Sequence, residues 1–241
     1  MNSHIQKLIA TLKQLPPEWL LVPSRYKKPL GYFWQERPFT PRQLIQGLLA
    51  GGITVVNKNR QPYQVLPTGF GLLTGYPLKA DDQTYYLMAL DQDGPSAAAK
   101  ILELSQGAKL PHTVTFTSGR SFRCQYLFAI SADDASQLET RKINTGKDEA
   151  LELRWKGCQS ILPPSLHPTN GQYQWCEGCS VTTAVAHAPE WLLKLMRPHE
   201  TKRSNCKPTK TTSRLGKPYR EQQRLPTFQI HPTTANKARK L

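Results

Sequence analysis

Acidic residues are scarce in this chain, 17 Asp and Glu against 32 Lys and Arg over 241 residues, so their placement is informative. Asp91-Gln92-Asp93-Gly94 closes a hydrophobic run, Thr84 to Asp91, that predicts a buried strand. Side chains alternate along an extended chain, so Asp91 and Asp93 share one side and Gln92 takes the other. Carboxylates held that close raise one another's pKa unless a cation lies between them. Mg²⁺ or Mn²⁺ is the usual resolution, because these ions take oxygen ligands and keep positions for water and substrate phosphates. A polar turn after a strand is the competing reading of the same residues. Glu152 lies in Leu151-Glu152-Leu153-Arg154-Trp155, where alternation sends the apolar residues to one face and Glu152 and Arg154 to the other. An ordinary amphipathic strand has the same pattern. Three carboxylates on strands of one sheet nonetheless suit a two-metal site for nucleotidyl transfer. Thr117-Ser118-Gly119-Arg120, between two strand candidates, offers backbone N–H groups, a hydroxyl and the guanidinium groups of Arg120 and Arg123. It reads either as a phosphate cradle or as a hairpin turn with solvated arginines.

The elements that must position these residues are legible in outline. Ile5, Leu8, Ile9, Leu12 and Leu15 recur at helical spacing near the N-terminus. Thr40-Pro41 followed by Leu44, Ile45, Leu48 and Leu49, then Gly51-Gly52, predicts a helix with an N-cap, a first-turn proline and a glycine stop. Ile53–Val56, Gly69–Gly75 and Thr84–Asp91 read as strands, and Ala97–Leu104 as a helix. Thr113–Phe116 and Cys124–Ile130 read as paired strands. Leu151–Trp155, Ser160–Leu162 and Tyr173–Trp175 are further short strands, and Trp191–Met196 a closing helix. Helices and strands mix without strict βαβ repetition, which predicts an α/β or α+β domain over residues 1–196.

Residues 197–241 differ in kind. They carry twelve Lys and Arg against two Glu, with five prolines and no hydrophobic periodicity. Such a stretch buries too little surface to offset its ordering entropy and reads as a disordered basic tail. Lys202, Arg203, Lys207, Lys210, Arg214, Lys217 and Arg220 are its candidate phosphate-backbone contacts, against the plainer reading of a solvated tail. No apolar run is long enough for a transmembrane helix, and five cysteines without a secretory signal argue against a disulfide framework, so a soluble cytoplasmic protein is expected. Cys176-Glu177-Gly178-Cys179 is a lone CxxC pair; a zinc site would need two more ligands, with Cys158, His167, His187 and Cys206 available in principle. The five tryptophans read as core and turn anchors.

In order and spacing, GFGLLTG, YLMALDQDGPSA, LPHTVTFTSGR and LELRWKGCQSILPPSLHPTNGQYQW resemble the bifunctional DNA primase/polymerase (prim-pol) N-terminal domain of the archaeo-eukaryotic primase superfamily. LVPSRYKKPLGYFW is similar to the opening pattern of that family, and the resemblance spans roughly residues 16–195. It implies a mixed β-sheet catalytic core flanked by helices. It also implies template-directed, Mg²⁺- or Mn²⁺-dependent nucleotidyl transfer in DNA replication, in a plasmid or mobile-element setting. Asp91, Asp93 and Glu152 would then be the metal-binding catalytic carboxylates. Ser118, Gly119, Arg120, Gln125, Arg154 and His167 would be the nucleotide-binding residues. Gln125 stands where the family commonly has histidine, and glutamine can hydrogen-bond a phosphate but carries neither a proton nor a charge to it. The implied partners are single-stranded or primed DNA, nucleoside triphosphates and a helicase supplied by a separate protein. A catalytically impaired DNA-binding replication factor on the same scaffold is the alternative, and a metal-dependent nuclease a more distant one.

Overall fold

The computed structural model describes residues 2–198, so the candidate phosphate contacts Lys202, Arg203, Lys207, Lys210, Arg214, Lys217 and Arg220 lie outside the described residues. The chain opens with α1 (Ser3–Leu12), capped by the Asn2 side chain accepting from the His4 N–H at 2.9 Å. A hairpin follows, β1 (Leu21–Arg25) and β2 (Lys28–Pro29), with Tyr26 and Lys27 at its tip. In α2 (Pro41–Leu49), Thr40 and Gln43 form the reciprocal capping box that satisfies two otherwise orphaned backbone donors. Next come β3 (Ile53–Val56), β4 (Pro62–Val65), β5 (Gly69–Leu73), β6 (Leu78–Ala80), the long β7 (Gln83–Asp93) and α3 (Pro95–Leu104). Then follow β8 (Thr115–Thr117), β9 (Arg123–Ser131), α4 (Ala132–Ala135), β10 (Arg141–Gly146), β11 (Glu149–Arg154) and β12 (Gln159–Leu162). Three two-residue strands, β13 (Leu166–His167), β14 (Gly171–Gln172) and β15 (Gln174–Trp175), lead to α5 (Glu190–Met196).

Helices combine with several antiparallel sheets, a mixed α/β fold as expected. The largest sheet has seven strands in the order β10-β11-β7-β9-β8-β15, with β6 also paired to β7. A four-stranded sheet runs β12-β5-β1-β2, and β3-β4 and β13-β14 are separate ribbons. The alternation in β7 decides how the layers stack. Met88 and Leu90 point to the side where Phe128, Leu151 and Leu153 meet Ala97 and Ile101 of α3 and Leu192 and Met196 of α5. Leu87 and Ala89 point the other way, into a second core shared with α1, α2 and the four-stranded sheet. Each large aliphatic side chain buried in these two cores contributes about 1.5–3 kcal/mol to the fold.

Two local expectations change. The strand expected to end at Asp91 runs on to Asp93, because β9 and β11 keep pairing with it to its end, which leaves no polar turn at Asp91–Asp93. The expected strand Tyr173–Trp175 is broken at Tyr173, whose buried ring leaves the ladder to pack against His167.

Candidate functional site

The odd-numbered face of β7 carries the site. Its ladder places Glu152 of β11 and Gln125 of β9 directly opposite Asp91, and Phe116 of β8 opposite Gln125. These four residues form one row across the sheet, with neighbouring Cα atoms about 5 Å apart. Asp93 lies two residues further along the same face, opposite Arg123. Gln92 takes the other face, 7% exposed, and its Nε2 donates to the Phe122 carbonyl at 3.0 Å. The expected alternation is therefore observed on β7, and on β11 as well, where Leu151 and Leu153 are buried behind the sheet while Glu152 and Arg154 face the cleft.

Arginines hold all three carboxylates. Arg154 Nη2 lies 2.6 Å from Asp91 Oδ2 and 3.1 Å from Glu152 Oε2, so both carboxylates converge on one cationic nitrogen. Its Nη1 donates to the Gln159 carbonyl at 2.9 Å. Arg154 faces Ala89 across the ladder, and that small side chain leaves the guanidinium room to reach forward to Asp91. Asp93 pairs with Arg123, and Arg120 lies 4.0 Å from the same carboxylate. Burial pushes the Asp91 carboxyl above the usual range and Glu152 adds to this, while Arg154, a Gln125 hydrogen bond and Lys27 pull it down. Burial alone would lower the Arg154 pKa, but Asp91 and Glu152 together hold it above its ordinary value. Lys27 is lowered by burial and by the neighbouring Arg120.

These groups, except Glu152, line a cavity of about 280 Å³ lying between the two main sheets. From the large sheet it takes Asp91, Asp93, Arg123, Gln125 and Arg154, and from the β8–β9 loop Ser118 and Arg120. The four-stranded sheet contributes Lys27, Gln159 and Ile161, and Tyr173 closes one side. Gly119 turns the loop at φ +83°, with its N–H donating to Thr117 Oγ1 at 3.1 Å. Tyr173 is raised to about 12 by burial and by Asp91, so its phenol keeps its proton throughout the physiological range. His167 is not in the cavity wall. Its Nδ1 accepts from the Thr169 and Asn170 N–H groups at 3.2 Å, which puts the ring proton on Nε2, and its ring packs edge-on against Tyr173.

Lys27, Gln159 and Tyr173 belong to this site without any functional signal of their own in the sequence. Glu149 was missed as well. Its Oε2 accepts from Ser96 N–H at 2.8 Å and from Ser96 Oγ, which ties the first turn of α3 to β11 just beyond Asp93. Gly94 marks the spot, because it leaves room for that carboxylate.

A family model described as bifunctional DNA primase/polymerase, N-terminal, matches residues 11–191. The chain belongs to this family. Its general activity is therefore of the DNA primase/polymerase type, a nucleotidyltransferase with DNA template and nucleotide substrates. No curated protein and no solved structure matches the chain. No helix among the described residues is long and apolar enough to cross a membrane.

The CxxC pair of this prim-pol chain forms a turn in which the Cys179 N–H donates to the Cys176 carbonyl at 3.0 Å. Its near neighbour is His112, with Nδ1 3.7 Å from Cys179 Sγ. Among the described residues no group of three or more His, Cys, Asp or Glu is arranged to hold a metal ion. Burial pushes the Cys176 thiol up to about 11. Below that value the reactive thiolate is a small minority, and it grows as pH rises. At pH 8, Cys176 in chelator-treated protein is expected to react with iodoacetamide about a hundredfold more slowly than an unperturbed thiol. Labelling followed by mass spectrometry across pH 7–10 checks this, and rapid labelling at pH 7 would refute it.

Proposed function

We propose that this cleft performs template-directed, divalent-metal-dependent nucleotidyl transfer onto a DNA primer, in plasmid or mobile-element replication. The observation that carries the reading is the convergence of Asp91 and Glu152, from neighbouring strands, on a single cationic nitrogen at 2.6 and 3.1 Å beside a cavity rich in positive charge. A guanidinium standing between these two carboxylates supports reading the position as one for a cation, and Asp93 lies two residues further along the same face, paired with Arg123. A bound Mg²⁺ or Mn²⁺ would make the attacking 3′-hydroxyl more acidic and take up charge on the phosphates.

The protein's own contribution is binding and alignment. Lys27, Arg120, Arg123 and Arg154 line the cavity against Asp91 and Asp93, an excess of positive charge suited to a triphosphate. At about 280 Å³ the cavity suits the polyphosphate end of a nucleotide, leaving the base outside to meet a template strand. The Ser118 hydroxyl and Arg120 supply donors from the hairpin loop that Gly119 turns, and Tyr173 a protonated phenol from the opposite wall. Gln125 stands directly opposite Asp91 in the ladder and lines the same cavity. His167 supports Tyr173 from behind.

The engagement of every one of these carboxylates by arginine also favours a second reading, a DNA-binding replication factor that does no chemistry. Incubating the purified chain with a labelled primer on a short single-stranded template, Mn²⁺ and all four dNTPs separates the readings. Extension is expected. Retention of unextended DNA would favour the binder, and shortening would identify a nuclease.

A further inference from the structure

The position that best fits a cation in this site is already taken by one the chain supplies itself. Arg154 Nη2 bridges Asp91 Oδ2 and Glu152 Oε2 at 2.6 and 3.1 Å. A divalent ion placed between the same oxygens would lie against a guanidinium of like charge, so the two cannot share the position. The guanidinium is also incompletely satisfied where it rests. Nη1 reaches the Gln159 carbonyl at 2.9 Å, but Nε is buried with no hydrogen-bond partner. An unpaired buried donor is a standing penalty that a phosphate oxygen from an incoming nucleotide would relieve. Gln159 links this arginine to the opposite wall, because its Nε2 donates to the Lys27 carbonyl at 2.9 Å.

We propose that Arg154 is a tethered competitor for the cation position between Asp91 and Glu152, and that divalent-metal entry requires its guanidinium to leave them for the nucleotide phosphates. This rests on the metal-dependent reading of the site given above. Arg154 acts in it as a positioning residue: it holds the carboxylates together while the site is empty and yields them when an anion arrives. Its charge sets the effect, so lysine should preserve it and methionine should remove it.

Mn²⁺ uptake by the full chain without nucleotide, followed through the electron paramagnetic resonance signal of the free ion, tests the proposal. Arg154→Met is expected to bind Mn²⁺ at least about tenfold more tightly than the wild type, a coupling of ordinary size between two ligands of one site. Arg154→Lys should stay within about threefold of the wild type, and adding Asp91→Asn to Arg154→Met should remove the gain. Thermal unfolding reports whether each variant is folded, and Arg154→Gln carries the test if the methionine variant is not. Wild type and folded Arg154 variants binding Mn²⁺ equally well would overturn the competitor while leaving metal dependence intact. No uptake by any form, with or without a dNTP, would overturn both.

Discussion

Asp91→Asn is expected to lower primer extension by about a thousandfold or more while leaving the fold and salt-dependent DNA retention in place. The substitution keeps the size and planarity of the side chain, so the row Glu152, Asp91, Gln125 and Phe116 stays packed. It removes the one carboxylate that sits at the centre of the row, against both Arg154 and Gln125. Two effects on stability oppose one another. Burial disfavours the ionised carboxyl, so taking away its charge relieves a penalty present at neutral pH, whereas Arg154 loses its closer partner and keeps only Glu152 and the Gln159 carbonyl. A small shift in unfolding temperature is the net expectation. Initial rates with Mn²⁺ and Mg²⁺, read beside a DNA-binding titration, make the comparison. Extension by Asp91→Asn at the wild-type rate would remove this carboxylate from the chemistry.

Gly94→Ala should be the most damaging single methyl near the site, at about 2–4 kcal/mol of stability. Gly94 has φ +118° and ψ 172°, a region open essentially to glycine alone. An added Cβ would also lie 2.6 Å from Glu149 Oε2, a carboxylate pinned by Ser96. Its N–H donates to the Phe122 carbonyl at 3.1 Å, so displacing it disturbs the β8–β9 loop as well as Asp93. Gly119→Ala provides the control. That glycine also has a positive φ, +83°, but a Cβ there meets nothing within 4 Å, so only the backbone term of about 1 kcal/mol applies. Urea unfolding of the two variants gives the comparison, and equal losses would refute the role assigned to Glu149. Combining Glu149→Ala with Gly94→Ala should recover the collision but not the backbone strain.

What could be seen in the sequence was whatever follows from local periodicity. The shared side of Asp91 and Asp93, and the split between Leu151 and Leu153 on one face and Glu152 and Arg154 on the other, both follow from a two-residue repeat. The capping of α2 follows from Thr40, Pro41 and Gln43. What could not be seen was set by register between distant strands. Lys27 reaches the cavity from a hairpin 64 residues before Asp91, and Tyr173 from the single residue between β14 and β15. Alternation gives the face that Arg154 occupies but not the two carboxylates it clasps, which only the register of β11 against β7 supplies. The PPSLHP element allows His167 either near the site or in a hydrogen-bonded turn, and only the tertiary structure shows its ring bonded within its own turn and packed on Tyr173.

The placement of β7 between two separate cores has a consequence for how the cleft yields. Leu87, Met88, Ala89 and Leu90 are all essentially inaccessible, so their amides can exchange with solvent only when both layers separate, which requires opening most of the domain. Asp91 directly continues that strand, and Glu152 and Gln125 are its immediate partners on either side. The opposite lip is the Tyr26-Lys27 hairpin tip of the four-stranded sheet, where Tyr26 is 42% exposed, whereas the Ser118–Phe122 loop is held to the end of β7 by Gly94 and Gln92. Deuterium should therefore enter the two lips of the cleft on very different timescales. A bound nucleotide would meet a fixed anvil of carboxylates with their arginines on one side and the more accommodating Lys27 hairpin on the other.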